Sequence, residues 1–178
     1  MSAPKIELTD KVIPDAFHGT TLAAAANILV NGFRMGVEEK GWLGKGVYFY
    51  ESSREDAAAW AKRTLPPAQV SVIRATINLG YCLDLHIPEH IQLMRWYYDA
   101  LTQRIARRGL TDHGNPIKVT EPLVLNLMER NMNLDTIRVG HSTAFVRKPA
   151  FPGSRFRKGH QIIICVRNLK NIQNVRLA

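Results

Sequence analysis

Two patterns in the chain predict an α+β fold. Helical and extended segments alternate through the first three quarters, and extended segments then gather towards the C-terminus. A third observation sets the scale. With 178 residues, 46% of them hydrophobic, the chain can bury one proper core. No Ser/Gly/Pro tract, repeat or long charge block marks a linker, so residues 1–178 are expected to form a single domain.

Each element has a local reason. Thr20 and Thr21 can cap a helix with an apolar face of Leu22, Ala25, Ile28 and Leu29, stopped by Asn31-Gly32. Gly46 to Tyr50 is strand-like, and Ser52 or Ser53 caps a predicted helix over 54–64 that ends before Pro66-Pro67. Strands are predicted over 70–79 and 83–85, around a bend at Gly80. Pro88 opens a long helix to about Arg108 with Ile91, Met94, Tyr98, Leu101 and Ile105 on one stripe, and Gly109 closes it. Another helix is predicted from Thr120 to about Asn131, with Pro122 in its first turn. The segments 136–139, 144–147, 161–166 and 175–177 are β-like, joined by loops rich in Gly, Pro and Arg.

Composition narrows the function classes. Apolar runs are too short for a membrane span, and MSAPKIELTD lacks the basic start and apolar middle of a signal peptide. A soluble cytoplasmic protein, or one delivered into a target cell's cytoplasm, is the expectation, with no membrane partner. Cys82 and Cys165 both fall in apolar strand-like segments, so buried reduced thiols are expected rather than a disulfide or metal pair. The first 135 residues carry 15 basic and 15 acidic side chains, whereas residues 136–178 hold nine basic and no acidic ones. The whole net charge of +9 thus resides in the last quarter, where it suits a nucleic acid, an acidic protein surface or an anionic cofactor. A solvated basic surface is the plain alternative.

Three stretches carry chemistry. His18-Gly19-Thr20 precedes a helix ending in Ile28-Leu29-Val30-Asn31-Gly32-Phe33-Arg34; Gly44-Lys45-Gly46-Val47-Tyr48-Phe49 follows; and His160-Gln161-Ile162-Ile163-Ile164 lies near the C-terminus. In order and spacing they resemble the signatures of the poly(ADP-ribose) polymerase-like ADP-ribosyltransferases, across about residues 15–178, with 84–133 the least diagnostic part. The resemblance implies the ADP-ribosyltransferase fold: two packed, split β-sheets flanked by helices, with an NAD+-binding cleft between them. It also implies transfer of ADP-ribose from NAD+ to a macromolecular acceptor with release of nicotinamide.

The family assigns roles residue by residue. His18 would bond a ribose hydroxyl of the adenosine half, Gly19 would pair its backbone with the nicotinamide amide, and Thr20 would support the turn. Tyr48 would form one wall of the nicotinamide slot and Trp60 the other, although the family usually has tyrosine there. Arg34 matches a family arginine near the adenosine end, where a fixed cation suits pyrophosphate or adenine. Taken singly, a histidine before a capping threonine is more often a core or surface residue, and strand aromatics are more often packing. His18, Tyr48 and Gln161 form the implied catalytic set, a His-Tyr-Gln variant of the family's His-Tyr-Glu.

Gln161 is the departure. Polymerising members have glutamate there, whose charge steadies the oxocarbenium ion; glutamine keeps an acceptor but loses charge and base. Three readings follow: single (mono-) transfer rather than chain building, a catalytically weak or dead NAD-binding module, or a second carboxylate such as Glu51 or Asp56 supplying the charge. An NAD glycohydrolase is a further alternative. Small stand-alone members of this kind suggest a toxin or defence effector with an antitoxin or immunity protein as partner.

In this family the loop before the last signature selects the acceptor, and here it reads RKPAFPGSRFRKGH. Five basic residues interleave with Phe151 and Phe156, which slightly favours RNA or DNA, with Arg155, Phe156, Arg157 and Lys158 as the contacts; an acidic protein target would satisfy the same charges, and a loop holding the cofactor's pyrophosphate is the plain alternative. One rival motif remains. His86-Ile87-Pro88-Glu89-His90 spells the inverted zinc-metallopeptidase pattern, but Pro88 belongs in a first helical turn, which would leave His86 outside the helix. No metal site is therefore assigned.

Overall fold

The computed structural model describes residues 6–35, 41–141 (His141 by its backbone only) and 161–178. In chain order the elements are β1 (Leu8–Thr21), α1 (Leu22–Asn31), β2 (Val47–Glu51), α2 (Arg54–Ala61), β3 (Val70–Asp84), α3 (Pro88–Arg108), β4 (Thr111–Asp112), β5 (Asn115–Pro116), α4 (Glu121–Met132), β6 (Thr136–His141), β7 (Gln161–Val166) and β8 (Ile172–Leu177). Two single 3-10 turns, Pro67–Gln69 and Leu169–Asn171, precede β3 and β8. The α+β class predicted from the sequence is the one observed.

Six strands form one sheet in the order β1-β2-β7-β6-β3-β8, and β1 also pairs with β3. The first five strands in that order therefore close on themselves, so one hydrogen-bonded ring stands where the family resemblance implied two split sheets. Among the described strands only β3 and β6 pair in parallel, through Cys82–Thr136 to Asp84–Arg138; α3, the β4-β5 hairpin and α4 make the crossover between them. β3 is one strand rather than two. It bends at Gly80 (φ +60°), where its pairing passes from β1 and β8 to β6.

The alternation of strand side chains sorts two cores. Val47 and Phe49 of β2, Ile164 and Val166 of β7, and Ala75 and Ile77 of β3 belong to one cluster built from strands. Ile163 and Cys165 face the other way and pack with Leu43, Leu83, Leu93 of α3 and Val124, Leu125 and Met128 of α4. Cys82 and Cys165 are buried free thiols, and burial pushes both up to about 11.

Two helix faces differ from expectation. On α3 the core-facing residues are Leu93, Met94, Tyr97 and Leu101, while Ile91 (52%) and Tyr98 (45%) are exposed; the helix turns towards α4, not along the Ile91 stripe. On α1 only Ala25 is buried, and Leu22 and Leu29 are exposed. Helix α2 stops at Ala61, three residues early, in a run of turns leading to the prolines. Among the described residues no helix is long and apolar enough to cross a membrane. The predicted segment 144–147 lies outside the described residues.

Candidate functional site

A cleft of about 1040 Å³ opens where β1 and β2 part. The two strands pair only at Ala16–Glu51 and Phe17–Tyr50, so beyond Phe17 the edge of β1 carrying His18 and Gly19 is not taken up by β2. On the far side β2 pairs with β7 from Val47–Val166 to Tyr50–Ile163, which brings Gln161 to the same mouth. Helices α1 and α2 complete the walls. His18, Gly19, Arg34, Tyr48, Trp60 and Gln161 all line this cleft. Thr20 does not: it pairs with Ser71 within the β1–β3 ladder, and the hydroxyl that caps α1 is that of Thr21, which accepts from the Ala24 N–H at 3.0 Å.

His18 is fixed through one ring nitrogen. Its Nδ1 lies 2.8 Å from the Tyr48 carbonyl, which can only accept, so Nδ1 carries the proton. Burial, the larger influence, lowers the imidazole below its usual 6.5, while the carbonyl bond works the other way. The ring is therefore neutral at pH 7, with Nε2 as an acceptor. Phe33 meets it edge-on at 5.3 Å and Phe49 packs against both rings.

Tyr48 owes its position to the glycine-spaced turn before it. Its hydroxyl donates to the Gly44 carbonyl at 2.6 Å and accepts from the Leu43 N–H at 3.1 Å. A Cβ at Gly41 would overlap that hydroxyl, which is why the turn needs glycine there. Arg167, just after β7, clamps the turn from behind by donating to the Leu43 carbonyl at 2.7 Å and to Asn126 Oδ1 at 3.1 Å. Burial, then Cys165, raises the Tyr48 phenol far above its ordinary value, so it is a neutral wall.

Another part of the lining comes from α2. Gly19 lets β1 touch this helix, because a Cβ there would overlap the Ala57 carbonyl oxygen. Trp60 is half-exposed, with the Arg63 guanidinium 5.1 Å from its ring centre. Among the described residues, the charged side chains lining the cleft are Arg34 and Arg63, both cationic; Asp56 contacts Gln161, its Oδ1 2.5 Å from Gln161 Nε2. Glu51 is held elsewhere, by the buried Arg138.

Sequence reasoning missed Tyr50 and Arg63 in the lining. Both had a signal: Tyr50 is two residues from Tyr48 on a strand, and Arg63 is three from Trp60 within the helix predicted over 54–64, although the observed α2 ends at Ala61 and leaves Arg63 in the turn after it. The acceptor contacts Arg155, Phe156, Arg157 and Lys158, like His160, lie outside the described residues. As for the zinc motif, α3 begins at Pro88, so His86 and His90 do not share a helical face. Both rings turn to Asp84: its carboxylate lies 2.7 Å from His86 Nδ1, and its N–H donates to His90 Nδ1 at 3.0 Å. Among the described residues no cluster of three His, Cys, Asp or Glu side chains could hold a metal ion.

The cleft is thus mostly apolar, flanked by aromatic rings and, among the described residues, lined by two arginines. Comparison with protein-family models gives no match, and comparison with curated proteins gives none either.

Proposed function

We propose that this chain is an NAD+-dependent ADP-ribosyltransferase that moves a single ADP-ribose unit to a macromolecular acceptor, on a scaffold of the ADP-ribosyltransferase type. One observation carries the reading. His18, Tyr48 and Gln161, from three strands adjacent in the sheet but up to 143 residues apart in sequence, meet in one cleft with Gly19, Arg34 and Trp60. The cleft's volume is in the range of a large cofactor pocket, and its aromatic walls and two arginines suit a ligand with flat rings joined through pyrophosphate.

The chemistry follows from these groups. The bond between the nicotinamide nitrogen and ribose C1′ breaks, and its electron pair leaves with nicotinamide as a neutral ring. The cation left on the ribose is captured by an acceptor nucleophile, which gives up its proton to solvent. Tyr48 and Trp60 would hold the departing ring flat, the open β1 edge at Gly19 would pair with its amide, and His18 Nε2 would accept from a ribose hydroxyl. Gln161 Oε1 would accept from the hydroxyl beside the reacting carbon.

The test is incubation with NAD+ labelled in its adenylate half, together with RNA, DNA or cell protein. Label on nucleic acid, matched by nicotinamide release, is the expected result. Label on protein would move the acceptor class, and free ADP-ribose alone would make the enzyme a glycohydrolase. Tight binding without cleavage would make it a binding module, and neither binding nor cleavage would remove the reading.

A further inference from the structure

Gln161 leaves the cleft without the carboxylate that its reaction would use. Three acidic residues end or closely follow β2: Glu51, Glu55 and Asp56; Glu55 is exposed on α2, which leaves Glu51 and Asp56 as candidates to replace it. Both oxygens of Glu51 are engaged by Arg138, Nε to Oε2 at 2.7 Å and Nη2 to Oε1 at 3.1 Å. Asp56 is different. Its Oδ1 takes the Gln161 Nε2 hydrogen at 2.5 Å.

That contact fixes which way the Gln161 amide faces. An ionised carboxylate only accepts, so the amide must turn its NH2 to Asp56 and its Oε1 away from it. Asp56 is itself well seated, in the first turn of α2, where its own N–H donates to the capping Ser53 hydroxyl at 3.2 Å. The helix is pinned on Gly19 through Ala57, and Ala57 and Ala61 are buried. We infer that Asp56 is the positioning residue of this site: it locks Gln161 with Oε1 presented to the cleft, and its charge, passed through the N–H···O bond, makes that oxygen a stronger acceptor for a ribose hydroxyl.

The inference rests on the ADP-ribosyltransferase reading and adds to it a residue outside the cleft wall. An Asp–Gln pair then does with two side chains what one glutamate does: the amide makes the contact and the carboxylate behind it supplies the charge. A hydrogen bond to a charged partner of this kind strengthens as neighbouring bonds polarise it.

A charge-swap cycle at the two positions tests it, reading kcat and KM for nicotinamide release alongside melting temperature. Asp56→Ala is expected to lower kcat by about tenfold or more, with KM for NAD+ little changed. Asp56→Asn, which can still accept the Gln161 hydrogen, should fall between it and wild type. Gln161→Glu alone sets two carboxylates at hydrogen-bond distance, so one must keep a proton and activity should drop. The double variant Asp56→Asn/Gln161→Glu restores a donor–acceptor pair with the charge on the cleft side. Its kcat is expected to exceed what the two single losses multiplied together allow. A purely structural Asp56 would shift melting temperature without that recovery. Wild-type kcat in folded Asp56→Ala or Asp56→Asn, or a double variant no better than the product of the singles, overturns the role of Asp56 alone. A wild-type protein that neither binds nor cleaves NAD+ overturns the transferase reading and this inference with it.

Discussion

His18 shows how much a single residue's surroundings decide. Because the folded imidazole holds its proton less tightly than the unfolded one, the contribution of His18 to folding stability is fully present above pH 6.5 and is lost as pH falls below it towards the depressed folded value. Thermal melts from pH 7 down to pH 5 should show this decline, and His18→Asn should flatten its share of it. Tyr48 makes a second residue-level point, since its hydroxyl both donates to Gly44 and accepts from Leu43. Tyr48→Phe keeps the ring but strands the Leu43 N–H, at a cost of about 1–3 kcal/mol in chemical denaturation, while NAD+ affinity measured by calorimetry should survive better than in Tyr48→Ala. An equal loss of affinity in both variants would mean that the hydroxyl, not the ring, meets the ligand.

At the scale of elements, α2 is the part on which the cleft turns, because it carries Trp60, Arg63 and Asp56 on eight residues and the turn after them. Gly19→Ala would push a methyl into the Ala57 carbonyl and shift this helix, costing about 1–3 kcal/mol and loosening NAD+ binding together. Unchanged melting temperature and affinity in that variant would show that the helix does not depend on the close approach. The ends of the helices were legible in the sequence because caps are local chemistry: Thr21 before α1, Ser53 before α2, Pro88 and Gly109 around α3. β1 was not legible over its first half. Its register shifts between Thr9 and Val12 and again between Ile13 and Ala16, the second across Pro14, which breaks the two-residue alternation that marks a strand. The α3 stripe was misjudged because its aromatic and branched residues suggest two faces, and only packing on α4 chooses between them. His18, Tyr48 and Gln161 were legible through the family resemblance. The Gln161–Asp56 contact was not, since it spans 105 positions and exists only once β7 lies beside β2.

Closure of the sheet is a property of the whole molecule, and the buried Arg138 serves it. From β6 it reaches Glu51 at the end of β2 and Asp84 at the end of β3, the latter at 2.8 Å. For Asp84, burial alone would raise the carboxyl, but the His86 and Arg138 bonds outweigh it and hold it below 3.8. Its contribution is therefore present above that pH and lost as pH falls through the depressed folded value. Arg138→Ala would leave two carboxylates facing a buried gap, and denaturant titration is expected to show a loss of about 3–5 kcal/mol. A loss under 1 kcal/mol would mean that the ring closes without this network. The nine positive charges after residue 135 belong to the same scale. If they meet a nucleic-acid acceptor, transfer should weaken steeply with salt, by roughly one logarithmic unit of slope per phosphate contacted. The triple change Arg155→Ala, Arg157→Ala and Lys158→Ala should flatten that slope and leave acceptor-free NAD+ cleavage intact. The most direct measurement is nicotinamide release from NAD+ by the wild-type chain beside Tyr48→Ala and Gln161→Ala, each checked for a native melt. Release by the wild type, with a loss of at least about tenfold in both variants, is the expected result; no release by the wild type, or equal release by all three, would contradict the assignment of this cleft to NAD+ chemistry.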